Sequence, residues 1–164
     1  MKWVSHKVIT GTIIYAFTGD IFATIASMAG STIPDAIEGR PDNTPLWHKY
    51  HRGLSHWFVP YLVFALIFIV IAKANGMNGI TTKNLIQFIM YHAPIVFMYF
   101  VGFFLLGGSL HTFEDFFCGN IPSFNPKKRI GRKLFYVGSQ TEYAITLSAV
   151  ILFMIMLLLK RYKH

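Results

Sequence analysis

Carboxylate and imidazole side chains are the groups in this sequence that could do chemistry, and they are unevenly distributed. The chain has seven acidic residues and seven histidines among 164 residues. Six of the acids flank apolar segments or lie in the loops between them: Asp35, Glu38, Asp42, Glu114, Asp115 and Glu142. Histidines share these regions: His48, His51, His56 and His111. Both groups bind divalent ions such as zinc or manganese, so the clustering predicts a metal site.

The sharpest local pattern is Gly107-Gly-Ser-Leu-His111-Thr-Phe-Glu-Asp115. A spacing of four residues places His111 and Asp115 on one face of a helix, one turn apart. Two metal ligands would then lie ready on a single helical face. The alternative is an ordinary helix end at which the same two side chains form a hydrogen bond.

A second pattern, His51-Arg-Gly-Leu-Ser-His56, comes directly before an apolar segment. A spacing of five puts the imidazoles of His51 and His56 on different faces of a helix, so a turn at Gly53 would have to bring them together. The guanidinium of Arg52 matches a phosphate or carboxylate at two points. The segment predicts either a metal and anion site or an interfacial cluster of histidine and arginine without a metal.

Two further acids are weaker indications by themselves. We expect Pro34 to end the first apolar segment and to present Asp35 at its boundary. Glu142 follows Ser139 by three residues, which is the pattern of a helix capping box. On spacing alone, capping explains Glu142 better than metal binding does.

The elements that must position these residues are apolar. The chain is 54% apolar and 13% charged, with a mean hydropathy of +0.47, which is too apolar for an ordinary soluble domain. Residues 8–33, 57–72, 85–110 and 143–159 form apolar stretches, and a helix that spans a bilayer needs about 20 such residues. The sequence predicts a single all-helical integral membrane domain. The third stretch continues to Phe117 and is too long for one span, so it should either break, with Gly107-Gly108 as the joint, or protrude from the bilayer.

The first apolar stretch has Thr18-Gly19-Asp20 at its centre, and a charge in mid-membrane is costly. Either the stretch spans, which gives four transmembrane helices, or helices 8–17 and 21–33 meet at a turn where Asp20 caps the second. A span divides the Lys and Arg residues 7 against 8, whereas a re-entrant hairpin divides them 10 against 5. Cytoplasmic segments carry the excess of positive charge. We therefore predict three transmembrane helices plus an N-terminal re-entrant hairpin, with His6 and the site facing the cytoplasm.

The net charge of +8 does not indicate nucleic-acid binding in so apolar a chain. It is typical of anchoring at a membrane surface, and the loop 118–142 supplies five of the cations. The single cysteine, Cys118, excludes internal disulfides and a Cys-rich zinc cluster.

The order of these motifs resembles the YdjM-like family of membrane-bound proteins, a family of proposed metal-dependent hydrolases. The resemblance covers residues 6–142 and includes Pro34-Asp35 and Gly-x-x-x-Glu142 besides the two histidine motifs. It implies seven metal ligands: His6, Asp35, His51, His56, His111, Asp115 and Glu142. Family members often carry Pro-Asp-x-Asp, where this chain has Ile37 and then Glu38, so Glu38 could replace the second acid. The ligand order is also distantly similar to that of zinc-dependent phospholipase C.

The family resemblance implies a metal-dependent hydrolase of the inner membrane and no particular substrate. The position of the site at the membrane boundary favours an amphiphile, so a phosphoester of a lipid or polyprenyl amphiphile is the expected substrate class. Zinc is the expected metal, with manganese as the other candidate. Arg52 would bind substrate oxygens and neutralise their charge. Whichever of His56, Asp35 and Glu142 is not a metal ligand would act as a general base or orient the ligands. Two other hypotheses are a non-catalytic metal-binding membrane protein and a small transporter or channel that uses Asp20 and His92.

Overall fold

The computed structural model describes residues 1–39, 51–77 and 85–162, the side chains of 85–89, 91, 92, 161 and 162 excepted. Asp42, His48 and the side chain of His92 thus lie outside the described residues. The described helices are α1 Trp3–Thr18, α2 Ile21–Gly30, α3 Ile33–Glu38, α4 Phe58–Ala74, α5 Leu85–Asp115 and α6 Gln140–Tyr162. A 3₁₀ turn covers Leu54–His56, and strands β1 Ile121–Pro122 and β2 Arg129–Ile130 pair antiparallel.

The apolar helices confirm the predicted all-helical membrane protein. Ala93–Asp115 of α5 and Gln140–Lys160 of α6 are long and apolar enough to cross a membrane, and α4 is a shorter apolar helix of 17 residues. Most of the apolar surface of α6 is not buried inside the protein. This exposed apolar surface is suited to contact with lipid.

The first apolar stretch is a hairpin, as predicted, and not a continuous span. α1 ends at Gly19, which has a left-handed φ of 60°. Asp20 caps α2, because its side chain accepts hydrogen bonds from the main-chain N–H groups of Phe22 and Ala23. The boundaries differ from those expected: α1 already begins at Trp3, and Pro34 opens the short helix α3 instead of only ending the stretch.

α1, the first helix of the hairpin, lies against α6 for most of the length of α1. Ser5 contacts Glu142 at one end, and the Lys160 ammonium donates to the Gly19 carbonyl at the other, at 2.5 Å. α1 and α6 therefore run in the same direction. The 16 residues of α1 extend for about 24 Å, against a hydrocarbon thickness of about 30 Å, so the hairpin tip approaches the far end of α6.

Glycines let α2 and α5 cross in main-chain contact. A Cβ atom on Gly107 would lie 2.0 Å from the Ser27 carbonyl oxygen, and one on Gly30 would lie 1.7 Å from that of Phe104. The predicted break at Gly107-Gly108 is wrong, because α5 continues through both residues. The glycines serve close packing instead, and this crossing brings the chain that follows α2 to the end of α5.

Candidate metal centre

Four of the predicted ligands meet where three elements converge. Asp35 lies in the first turn of α3, His56 ends the 3₁₀ turn, and His111 and Asp115 occupy the last turns of α5. Each offers one ligand atom, and these atoms all lie within 4.8 Å of one another. The side chains of His56, His111 and Asp115 are fully or almost fully buried. The group could hold a metal ion.

Several of these ligand atoms lie close enough together to bind one ion, and the longest of the four distances from histidine to carboxylate is 3.9 Å, from His111 Nε2 to Asp115 Oδ2. The Nε2 atoms of His56 and His111 are 3.3 Å apart, and Asp35 Oδ1 lies 3.3 Å from the first and 3.5 Å from the second. Asp115 Oδ2 lies 3.5 Å from His56 Nε2. Tetrahedral zinc ligands at their usual bond lengths are about 3.3 Å apart. Two imidazole nitrogens and two carboxylates that face one another at such distances fit a shared cation.

Glu38 holds the two histidines of the second motif. His56 Nδ1 lies 2.9 Å from Glu38 Oε1, and His51 Nδ1 lies 2.6 Å from Glu38 Oε2. An ionised carboxylate only accepts hydrogen bonds, so both Nδ1 atoms carry the proton. A metal that displaced the second proton of His56 would meet the lone pair of Nε2, which faces the cluster. A carboxylate behind a metal-bound histidine has this arrangement.

His6 lies beside the cluster in a similar arrangement. Its Nδ1 donates to Glu114 Oε2 at 2.6 Å, and Glu114 also accepts from the hydroxyl of Thr10. Its Nε2 is buried without a hydrogen-bond partner and lies 3.5 Å from Asp115 Oδ1. The imidazole rings of His6 and His111 are 3.8 Å apart. A buried imidazole nitrogen without a hydrogen bond is unusual, and the nearby Asp115 carboxylate can form an ion pair with it when the ring is protonated.

The Arg52 guanidinium forms hydrogen bonds with Asp115, one of the four clustered residues. Its Nε donates to Asp115 Oδ2 at 2.7 Å and its Nη2 to Oδ1 at 3.2 Å. The Met1 nitrogen lies 2.5 Å from the same Oδ1. Arg52 has a φ of 62°, in the left-handed region that non-glycine residues seldom adopt, and such backbone strain is frequent at functional sites.

The electrostatics of the cluster favour a bound cation. Burial alone lowers the pKa of the His56 imidazole, but the carboxylates around it raise that pKa to about 10. Burial raises the pKa of Asp35, yet His111 and His56 hold it well below its usual range. The carboxylates around His56 therefore stabilise a positive charge at this residue.

Glu142 lies apart from the four clustered residues. Its Oε1 accepts from the Lys2 main chain and from the hydroxyl of Ser5, and its Oε2 accepts from the Gly138 main chain. Half of the expected capping box is present, since Ser139 Oγ accepts from the Glu142 N–H at 3.3 Å. The contacts of Glu142 join α6 to the start of α1.

The structure thus brings together Asp35, His56, His111 and Asp115, and places His6 and Arg52 in contact with Asp115. His51 shares Glu38 with His56, and its ring lies edge-on to that of His56, with 5.5 Å between the ring centroids. The ligand roles of His6, His51 and Glu142 and the catalytic roles of Arg52, His56 and Glu142 stay predictions. Sequence reasoning missed how Glu38 acts; its position three residues after Asp35, on a neighbouring part of the same helix, was the available signal.

Fold and site together define a helical integral membrane protein with a candidate metal-binding cluster at one end of its helices. The model of the YdjM inner membrane protein family matches residues 1–163, so the chain belongs to this family. Membership of the family predicted from the motifs is confirmed, and the family description names an inner membrane protein. The hydrolase activity and the similarity to phospholipase C stay predictions. No curated protein and no solved structure matches the chain.

Proposed function

We propose that the protein is a metal-dependent hydrolase that acts at the membrane boundary on a phosphoester of a lipid or polyprenyl amphiphile. The observation that supports this best is the convergence of Asp35, His56, His111 and Asp115 on one buried point. A buried group of two imidazoles and two carboxylates suits a divalent ion, zinc before manganese.

The residues of the chain would divide the work. The four clustered side chains hold the ion, which when bound supplies Lewis acidity and activates water for attack. Glu38 fixes the orientation of His56, and Glu114 fixes that of His6. Arg52 has five N–H donors, of which Asp115 accepts two, and we assign the others to oxygens of an anionic substrate.

The position of the cluster supports an amphiphilic substrate. It lies where α5 ends, at the same end of the protein as the beginning of α6, and both helices have the length and composition of membrane spans. A lipid could keep its tail in the bilayer while its polar head reaches this end. We place the site on the cytoplasmic side, because the basic loop between α5 and α6 lies at the same end.

A non-catalytic metal-binding membrane protein is the second candidate. The observation that favours it is that four protein side chains already suffice for a tetrahedral site, and structural zinc sites are closed in this way. A catalytic site would need an additional or exchangeable position for water or substrate.

Metal analysis tests the premise that both candidates share. Protein purified without added chelator should retain zinc or manganese in plasma mass spectrometry, and His111→Ala and Asp115→Ala should each lose it. Ser109→Ala is a matched control, since Ser109 is buried on the same helix but does not belong to the cluster. Unchanged metal content in both cluster variants would refute the metal site.

Hydrolysis separates the two candidates. The metal-loaded protein, reconstituted in bilayers, should release phosphate or a phosphorylated headgroup from lipid or polyprenyl phosphoesters. Chelation should abolish this release and added zinc should restore it. Asp115→Asn should lower turnover far more than it lowers the folded fraction. A metal-replete protein that cleaves no phosphoester, carboxylic ester or amide in a broad lipid panel would favour the non-catalytic candidate. A transport role would instead require Asp20 and His92 and leave the histidines of the cluster dispensable.

A further inference from the structure

The loop between α5 and α6 exposes two kinds of side chain. Its exposed cations are Lys127, Lys128, Arg129, Arg132 and Lys133, and its exposed apolar or aromatic residues are Phe124, Ile130, Leu134, Tyr136 and Val137. We call these ten residues the loop surface. We propose that the loop surface is a docking site for anionic phospholipid headgroups beside the metal cluster.

No acidic residue of the loop balances the positive charge of the loop surface. Residues 116–141 contain no aspartate or glutamate, so five cations stand within a run of 26 residues without an acid. The acids at the two ends of this run are buried and face inward: Glu114, Asp115 and Glu142. A partner for this surface has to bring negative charge of its own.

The loop surface is also ordered, although its segment has little regular structure. The N–H of Arg132 donates to the Phe116 carbonyl at 2.7 Å, and the N–H of Leu134 donates to that of Phe117 at 2.9 Å. Strands β1 and β2 close the loop. These hydrogen bonds attach the basic part of the loop to the residues that directly follow Asp115. A partner that binds the cations therefore loses less free energy to ordering of the loop.

The apolar members of the loop surface identify the partner as a lipid surface. Phe124 is 79% exposed and Tyr136 is 81% exposed. Because the loop connects the ends of two helices that can span a membrane, it lies at one face of the bilayer. Aromatic side chains are enriched at that depth, and juxtamembrane cations attract anionic headgroups. Nucleic acid would satisfy the cations, but it gives no reason for exposed aliphatic residues among them.

The loop surface adjoins the cluster through Arg52. A Cβ atom on Gly119 would lie 1.9 Å from Arg52 Nη1, and one on Gly131 would lie 2.0 Å from the Gly119 carbonyl oxygen. The loop therefore packs against the residue that contacts Asp115. Docking itself does not require hydrolysis, and only its use in concentrating an anionic substrate at the cluster rests on the proposed function.

Lipid binding by the full-length protein tests the proposal. Native mass spectrometry in detergent would compare the binding of phosphatidylglycerol with that of phosphatidylcholine at equal concentrations. The wild type should prefer phosphatidylglycerol, and each cation of the loop that is replaced by glutamine should weaken that preference about fivefold. The triple variant Lys127→Gln, Lys128→Gln, Arg129→Gln should therefore lose it almost completely. Raised salt should weaken the wild-type preference.

Two matched variants make the outcome specific. Lys73→Gln removes an exposed cation from the other end of α4 and should change the lipid preference less than twofold. Phe124→Ser should weaken the binding of both lipids. Equal lipid preference in the wild type and the triple variant would overturn the proposal. So would a loss of preference in Lys73→Gln as large as that in the triple variant. Tight oligonucleotide binding that survives Phe124→Ser would overturn it in favour of nucleic acid.

Failure of docking and failure of hydrolysis can be told apart. The triple variant should keep its metal, because none of its three sites belongs to the cluster. A protein that binds phosphatidylglycerol through the loop but cleaves nothing would retain the docking surface and refute only the proposed function. A protein that cleaves lipid but shows no loop-dependent preference would retain the function and refute the docking surface.

Discussion

Replacing Glu38 by glutamine should weaken metal binding about 10- to 100-fold, although Glu38 is not one of the four clustered ligands. Its carboxylate accepts from four groups: the Nδ1 atoms of His51 and His56, the Ser55 hydroxyl and the Gly53 N–H. Burial raises the pKa of Glu38, but the hydrogen bonds from its partners outweigh this and hold that pKa well below its usual range. The carboxylate is therefore ionised and only accepts.

The amide of glutamine has one acceptor atom where the carboxylate has two. One of the two histidines then faces the NH₂ group of the glutamine, and its Nδ1 must accept a hydrogen bond from that group. The ring proton of this histidine therefore moves from Nδ1 to Nε2. For His56 that proton would point directly at the other three ligands. The expected loss of affinity corresponds to about 1.4 to 2.7 kcal/mol.

A chelator-competition titration with zinc, on protein whose helix content is checked by circular dichroism, measures the effect. Ser55→Ala is the matched control, because it removes the hydroxyl that contacts Glu38 and His56 but keeps the carboxylate that accepts from both imidazoles. It should alter the affinity less than threefold, on the order of half a kcal/mol. Unchanged affinity in folded Glu38→Gln protein would refute the positioning role, and a loss as complete as in Asp35→Asn would show that Glu38 is itself a ligand.

Three more predictions follow from the contacts at this end of the molecule. Arg52→Lys keeps the positive charge but not the two-point contact with Asp115, so it should preserve membrane orientation and lose most activity; full activity would show that any cation suffices. Single cysteines at positions Lys2 and Lys128, in a background without the native cysteine, should be labelled from the same side of the membrane; labelling from opposite sides would contradict the hairpin. Gly107→Ala should cost about 1 to 3 kcal/mol in detergent unfolding and weaken metal binding, because its Cβ would lie 2.0 Å from a carbonyl oxygen of α2; unchanged unfolding would contradict the close crossing.

The sequence determined the class of protein and the types of ligand. Apolar stretches of spanning length are local properties, so the helical membrane fold could be predicted from composition. Once the segment is helical, the four-residue spacing places His111 and Asp115 on one face of the helix, and this does not depend on how the helix packs. Asp20 in a Thr-Gly-Asp sequence is likewise a local cap, and the structure confirms it together with the hairpin.

Tertiary structure alone decided which of these side chains meet. Asp35 and His111 are far apart in sequence, and their distance of 3.5 Å depends on the crossing of α2 and α5 at Gly30 and Gly107. Local sequence could not separate a glycine pair that breaks a helix from one that lets two helices touch. Nor could it show that Glu38 would bind imidazoles or that Glu142 would hold main-chain N–H groups, because a carboxylate accepts from any donor and only the packing of the helices determines which donor it finds.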